Sequence, residues 1–161
     1  MEKVLKSKST VKLIDFQEAY TADFARLNYE WLEKHFTVEP HDREMLDYPI
    51  ESIINTGGQI FFAKYENEIV GTAALVEEDK DTFELAKMGV TTKYQGLKIG
   101  YKLILYAIEK AKQAGKKKLV LESCRKLVPA VNLYKKVGFV EVAHTGCSPY
   151  TRCDIRMSLD I

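Results

Sequence analysis

The sequence predicts a mixed α/β (α+β) domain folded round a single sheet, and three observations carry that prediction. Strand-like and amphipathic helical runs follow one another along the chain in the order β-α-α-β-β-β-α-β-α-β-β. A strand, glycine-bearing turn, helix and strand occupy residues 82–121, and a right-handed crossover of this kind makes its two strands parallel. Leu119-Val120-Leu121 is a continuous apolar run, as expected of a parallel strand covered on both faces.

Residues 11–16 alternate well enough for a first strand. From 17 to about 36, Tyr20, Phe24, Leu27 and Trp31 recur at helical spacing, with Phe36 near the end, which predicts a long first helix. Residues 37–48 are polar and are flanked or broken by Pro40 and Pro49, so they predict a loop and broken helix. Residues 50–55 read as a short second helix stopped by Gly57-Gly58. Two half-buried strands, 59–65 and 68–77, flank Glu66-Asn67 as a hairpin, and 82–90 continue the meander. From 99 to 114, Ile99, Leu103, Ala107, Ala111 and Ala114 share one helical face. Gly115 closes that helix, and Lys116, Lys117 and Lys118 sit against its negative end. Pro129 opens the last helix, Lys135 and Lys136 suit its final turn, and Gly138 ends it before a strand at 139–143. A loop at 144–149 leads into a last strand at 150–159.

A chain of 161 residues fits one domain spanning 1–161. Lys and Arg number 24 against 23 Asp and Glu, a net charge of +1, so no global field draws in nucleic acid or an anionic membrane. The N-terminal residues lack the apolar run of a signal peptide, and nowhere do ~18 apolar residues follow one another, which predicts a cytoplasmic protein. Cys124, Cys147 and Cys153 are an odd number without Cys-x-x-Cys spacing, and they predict neither a disulfide framework nor a zinc site. His35 and His41, beside Glu39 and Asp42, have no metal-ligand spacing either.

The most informative stretch runs from Val90 to Tyr101, out of an apolar strand, through a glycine-bearing turn and into a helix. Main-chain N–H groups of such a turn and of the first helical turn lack internal partners, and the helix dipole adds partial positive charge, so an anion suits the junction. Gly96 and Gly100 carry no Cβ, which lets a diphosphate approach the main chain. A P-loop would need Lys and Ser or Thr after the second glycine, and Gly100 is followed by Tyr101 and Lys102. A dinucleotide fingerprint would need three glycines in G-x-G-x-x-G, and only two occur, at a different spacing.

This segment resembles the acyl-CoA loop of the GNAT superfamily of N-acetyltransferases, whose pattern is Gln/Arg-x-x-Gly-x-Gly/Ala. Gln95 and Gly100 match it, and Lys98 stands where the middle glycine is expected, offering an ammonium beside a diphosphate. A second block agrees with the first. Ala130, Leu133, Tyr134, Gly138 and Phe139 fall in register with the family's Asn-x-x-Ala-x-x-Leu-Tyr-x-x-x-Gly-Phe segment, with Leu127 in place of the asparagine. The strong resemblance covers about residues 60–159.

The resemblance implies the GNAT fold: a single, mostly antiparallel mixed sheet of about seven strands, with a parallel pair formed by the fourth and fifth strands and helices on both faces. It implies an acetyl-CoA-dependent N-acetyltransferase that transfers acetyl to a primary amine of a small molecule or peptide, by direct attack in a ternary complex and without a metal. Met88, Gly89, Val90, Gln95, Gly96, Leu97, Lys98, Ile99, Gly100, Tyr101, Cys124, Ala130 and Tyr134 would then bind the cofactor. The acceptor must lose a proton before it can attack, because an alkylammonium has no lone pair. Glu84 on the fourth strand is the first candidate base, with Glu122 at the end of the fifth strand behind it. Amides freed by a distortion of the fourth strand at Met88, Gly89 and Val90 would hold the oxyanion, and Tyr134 would serve the leaving thiolate as acid. In this fold the turn between the first two helices and the loop before the last strand close over the acceptor. Glu39 and Asp42 would suit a cationic amine there, and Trp31 and Tyr150 an apolar or cation-π wall. A homodimer is allowed. The rival from another class is a non-catalytic acyl-CoA-binding sensor, to which Lys98 and Leu127 lend weight.

Overall fold

The structure is a computed structural model that describes residues 10–94, 96–144 and 149–161. Its strands are β1 (Lys12–Asp15), β2 (Gln59–Tyr65), β3 (Glu68–Asp79), β4 (Thr82–Val90), β5 (Lys118–Ser123), β6 (Val140–Val142) and β7 (Ile155–Asp160). They form one sheet in the order β1-β2-β3-β4-β5-β7-β6. Every neighbouring pair is antiparallel except β4 and β5. The helices are α1 (Thr21–His35), α2 (Pro40–Asp47), α3 (Ile99–Gln113) and α4 (Val128–Val137).

The period of two along the strands sorts the core onto two faces. Phe61, Ala73 and Leu75 pack with Leu103, Ile104 and Ala107 of α3, whereas the intervening Phe62 and Ala74 pack with Phe24 and Leu27 of α1. Helices therefore cover both sides of the sheet, as the sequence led us to expect. Among the described residues, no helix is long and apolar enough to cross a membrane.

Three boundaries differ from the sequence reading. Residues 40–47 form α2 rather than a loop, because Pro40 fits a first helical position and Glu39 and Asp42 make a capping box. The expected second helix contracts to a single π-helical turn, Ile50–Ile54. The last strand begins at Ile155, not at 150. The preceding residues leave the sheet, with Asp154 donating its N–H to the Ser123 carbonyl at 3.0 Å and its side chain accepting from the Arg125 amide at 2.7 Å.

What positions the site is the parting of β4 from β5. The two strands pair only through Thr82↔Lys118, Phe83↔Leu119 and Glu84↔Val120. Beyond that point β5 stays registered to β7 as far as Ser123, and β4 to β3 as far as Val90. A bulge bends β4 just past the parting: Thr72 pairs with Gly89 and Ala74 with Ala86, so Lys87 and Met88 both stand opposite the single Ala73. Lys87 holds a left-handed φ of 53° there. Gly89 allows α1 to press on the bent strand, since a Cβ at this position would lie 2.9 Å from the Leu27 carbonyl oxygen.

Candidate active site

Past Glu84 the gap between β4 and β5 widens into a cavity of about 600 Å³. Glu84, Lys87 and Met88 of β4 line it, as do Glu122, Ser123 and Cys124 at the end of β5. Leu127, just before α4, and Ala130 and Tyr134 of α4 close it on one side, and Trp31, Phe36, Asp42, Met45 and Tyr150 also line it.

Glu84 is the cavity carboxyl whose pKa is raised. Burial, then repulsion from Glu122 and Glu78, outweighs the attraction of Lys87 and Arg156 and pushes its carboxyl up to about 7. Among the described residues no cation lies within ion-pair distance of it. Glu122 differs, since its Oε1 lies 3.2 Å from His144 Nε2 and 4.0 Å from Arg156 Nη1. The half-buried Tyr134 packs its ring on Phe139, and burial pushes its phenol up to about 12. Its hydroxyl bonds to no side chain among the described residues, and the residue lines the cavity.

On the acceptor side the carboxylates expected to meet a cationic amine already have partners. Asp42 is fully buried, and its side chain accepts from Arg152 Nη2 at 2.7 Å, Arg152 Nη1 at 2.9 Å, Lys87 Nζ at 3.0 Å and the Glu39 amide at 2.9 Å. Burial alone would raise its pKa, but the Arg152, Glu39 and Lys87 contacts prevail and hold it at about 2. Glu39 accepts from Arg152 Nη1 at 3.0 Å and from the Thr151 amide at 3.2 Å, and it lies outside the cavity wall. Tyr150 sits between two cations, with Lys87 Nζ 4.3 Å and the Arg152 guanidinium carbon 4.2 Å from its ring centre. Lys87 also donates to the Tyr150 hydroxyl, and burial lowers the Lys87 pKa despite the opposing pull of Asp42. Lys87 and Arg152 did not stand out in the sequence. Lys87 is one of many lysines, and Arg152 falls in a segment that alternation assigns to a strand.

The turn into α3 is built from two left-handed residues, Gly96 at φ 73° and Lys98 at φ 54°. Lys98 takes the conformation that favours glycine at the position where the family pattern has one. Among the described residues no side chain caps α3, and its first turn holds no acidic residue. The first helical bond runs from the Lys102 amide to the Lys98 carbonyl at 3.0 Å, so the N–H groups of Ile99, Gly100 and Tyr101 have no acceptor within the helix. A Cβ at Gly100 would meet only the Leu133 side chain, at an ordinary 3.6 Å. The Leu97 and Ile99 side chains pack into the core, and Lys136 lies 5.7 Å from the Tyr101 ring centre. Gln95 lies outside the described residues, as does Cys147.

Glu84, Met88, Cys124, Ala130, Tyr134, Trp31, Asp42 and Tyr150 are thus brought to one cavity. Gly89 turns its Cβ direction to α1 and can serve a ligand only through its main chain. No group of three or more metal-ligating side chains occurs among the described residues.

The chain matches the family model described as Acetyltransferase (GNAT) family over residues 24–139. It is 32% identical over 129 residues to the uncharacterized N-acetyltransferase YjgM of Escherichia coli (strain K12), covering 78% of this chain and 75% of that protein. In structure it is similar to a GNAT-family acetyltransferase from Staphylococcus aureus Mu50, with a TM-score of 0.83 and 22% identity over 94% of this chain and 99% of the other. It is also similar to the Salmonella typhimurium protein yncA, whose structure holds its cofactor acetyl-CoA, with a TM-score of 0.74 and 19% identity over 94% of each chain.

Proposed function

The chain belongs to the GNAT family of acetyltransferases, and from that premise we propose that it transfers acetyl from acetyl-CoA directly to a primary amine of a small molecule or peptide, as one domain over residues 1–161. The observation that carries this reading is the shared cavity, where a carboxyl raised to about 7 and a half-buried phenol both face the parting of β4 and β5.

Acetyl-CoA, when bound, supplies an activated acyl thioester. The open amides of Ile99, Gly100 and Tyr101, with Gly96 and the Lys98 ammonium, are suited to a diphosphate. The bulge at Lys87 and Met88 interrupts the ladder to β3, which frees main-chain donors for a carbonyl oxygen as it gains charge. Glu84 takes the acceptor's proton. Moving a proton from an alkylammonium to an ordinary carboxylate is uphill by about 8 kcal/mol, and a carboxylate near 7 cuts this to about 5 kcal/mol. Tyr134 keeps its proton against a thiolate whose own pKa is about 8 to 9, so it steadies the departing sulfur by donating a hydrogen bond rather than by full transfer.

Thiol release from acetyl-CoA across a panel of amines tests the proposal. We expect the pH profile of kcat/KM to bend at about 7, the bend to vanish in Glu84→Gln and leave only the rise set by the amine's own deprotonation, and kcat in that variant to drop at least ~100-fold. Tyr134→Phe should lose about tenfold while coenzyme A still binds. Binding without thiol release for any amine would leave the acyl-CoA sensor as the better reading.

A further inference from the structure

Five carboxylates line the cavity: Asp42, Glu44, Glu51, Glu84 and Glu122. Taken as a sum they suggest a polycationic acceptor, but their surroundings differ. Asp42 is neutralised by Lys87 and Arg152, and Glu122 lies against His144 and Arg156. Glu44 bonds to His41, and its side chain is 74% exposed, at the rim, where Glu51 is exposed too. Glu84 is then the one interior carboxylate with no cation in contact among the described residues.

Beside the Asp42, Lys87 and Arg152 network, the acceptor side also presents an apolar wall. Glu84 pairs across the sheet with Val76, on the face covered by α1 and α2. Trp31, Leu32, Phe36, Met45 and Val76 line the cavity on that side, with the Trp31 and Phe36 rings 5.5 Å apart. Leu32 and Met45 are only 2% and 6% exposed, so this wall is continuous with the core. A single ammonium can reach Glu84 while its carbon body covers the wall. A second ammonium inside would have to break the Asp42 network, compete with His144 and Arg156 for Glu122, or lie unpaired against hydrocarbon, and each is costly.

We propose that the acceptor is a primary amine carried on an apolar body, aliphatic or aromatic, and not a polyamine; this rests on the acetyl-transfer reading above. The apolar wall selects by burial, and each added methylene raises transition-state binding until the wall is covered.

The test is kcat/KM, by thiol release from acetyl-CoA, for straight-chain amines from propylamine to heptylamine, whose amino groups have nearly equal basicity, together with phenethylamine and spermidine. Expected is a rise of about two- to fourfold per methylene, with phenethylamine ahead of spermidine by about tenfold or more. In Trp31→Ala, checked for cooperative unfolding, the phenethylamine-to-propylamine ratio should fall about fivefold. Tyr48→Ser, at an exposed residue of the cavity rim, serves as a second variant and should lower the same ratio. A flat or falling series, or spermidine as the best acceptor, overturns the inference and leaves acetyl transfer standing. Release with none of these amines but with a peptide or amino-acid amine overturns the inference alone, and release with no amine at all overturns acetyl transfer and the inference with it.

Discussion

The N-termini of α2 and α3 pose one physical problem and solve it in opposite ways. Each leaves main-chain N–H groups without helical acceptors and gathers the positive end of a dipole. At α2 the chain answers with its own atoms: Pro40 removes one donor, the Asp42 side chain accepts the Glu39 amide at 2.9 Å, and the Glu39 side chain reaches back to the Asp42 amide. At α3 the described residues offer no such answer, since Lys98 turns left-handed, its side chain makes no cap and no acid stands in the first turn. One helix end is closed with carboxylates and the other stands beside a basic residue and a glycine, an arrangement that suits the second to the external anion proposed above.

The comparison can be broken hardest at α2. Asp42→Ala would leave Lys87 and Arg152 buried without their shared counter-charge and remove half the capping box. A loss of about 3 to 5 kcal/mol in denaturant unfolding at neutral pH is expected. Because the Asp42 pKa is held down at about 2, its contribution is present above pH ~4 and fades as the pH falls through 2, so the gap between wild type and variant should narrow in acid.

Glu84 sharpens the contrast as a buried carboxyl without the cations that Asp42 enjoys. Its folded pKa of about 7 lies above the unfolded value near ~4.3, so ionisation burdens the fold. That burden is absent below pH ~4, grows as the pH rises through 7 and is constant above. Glu84→Gln should therefore unfold later than wild type by roughly 2 to 3 kcal/mol at pH 8 and equally at pH 4, while turnover collapses. A variant that is inactive and also less stable at pH 8 would show that Glu84 is a structural group. The smallest effect is expected at Lys98. Replacing it by glycine relieves the left-handed backbone but adds unfolded-state freedom, so Lys98→Gly should move stability by less than about 1 kcal/mol while weakening coenzyme A severalfold, more so at low salt.

Much of the fold was legible because its signals are local. Strands β2 and β3 and the Ile99, Leu103, Ala107 stripe of α3 appear where alternation and helical spacing put them, although the two strands are covered on both faces rather than half-buried. The strand-turn-helix junction and Tyr134 were legible through two spaced motifs. α2 was missed although its capping box and Pro40 were readable, because a polar helix of eight residues carries little apolar periodicity. The acceptor side was legible only in part: Trp31, Asp42 and Tyr150 line the cavity as expected, but its charge balance was hidden. Its charge state depends on Asp42 meeting Lys87, 45 residues away, and Arg152, 110 residues away, and no local pattern encodes that meeting. The bulge at Lys87 was expected one residue later, at Met88 to Val90, and only register against β3 fixes it.

Gly100→Ala isolates the open helix end. The methyl meets only Leu133 at 3.6 Å, and alanine favours a helix over glycine by about 0.5 to 1 kcal/mol, so the free protein should be as stable as wild type or slightly more so. Calorimetric titration with coenzyme A should nevertheless show affinity reduced about tenfold or more, because the methyl stands where the diphosphate must approach the amides. Unchanged affinity in a stable Gly100→Ala protein would mean that the diphosphate binds elsewhere and that the open end of α3 is not its seat.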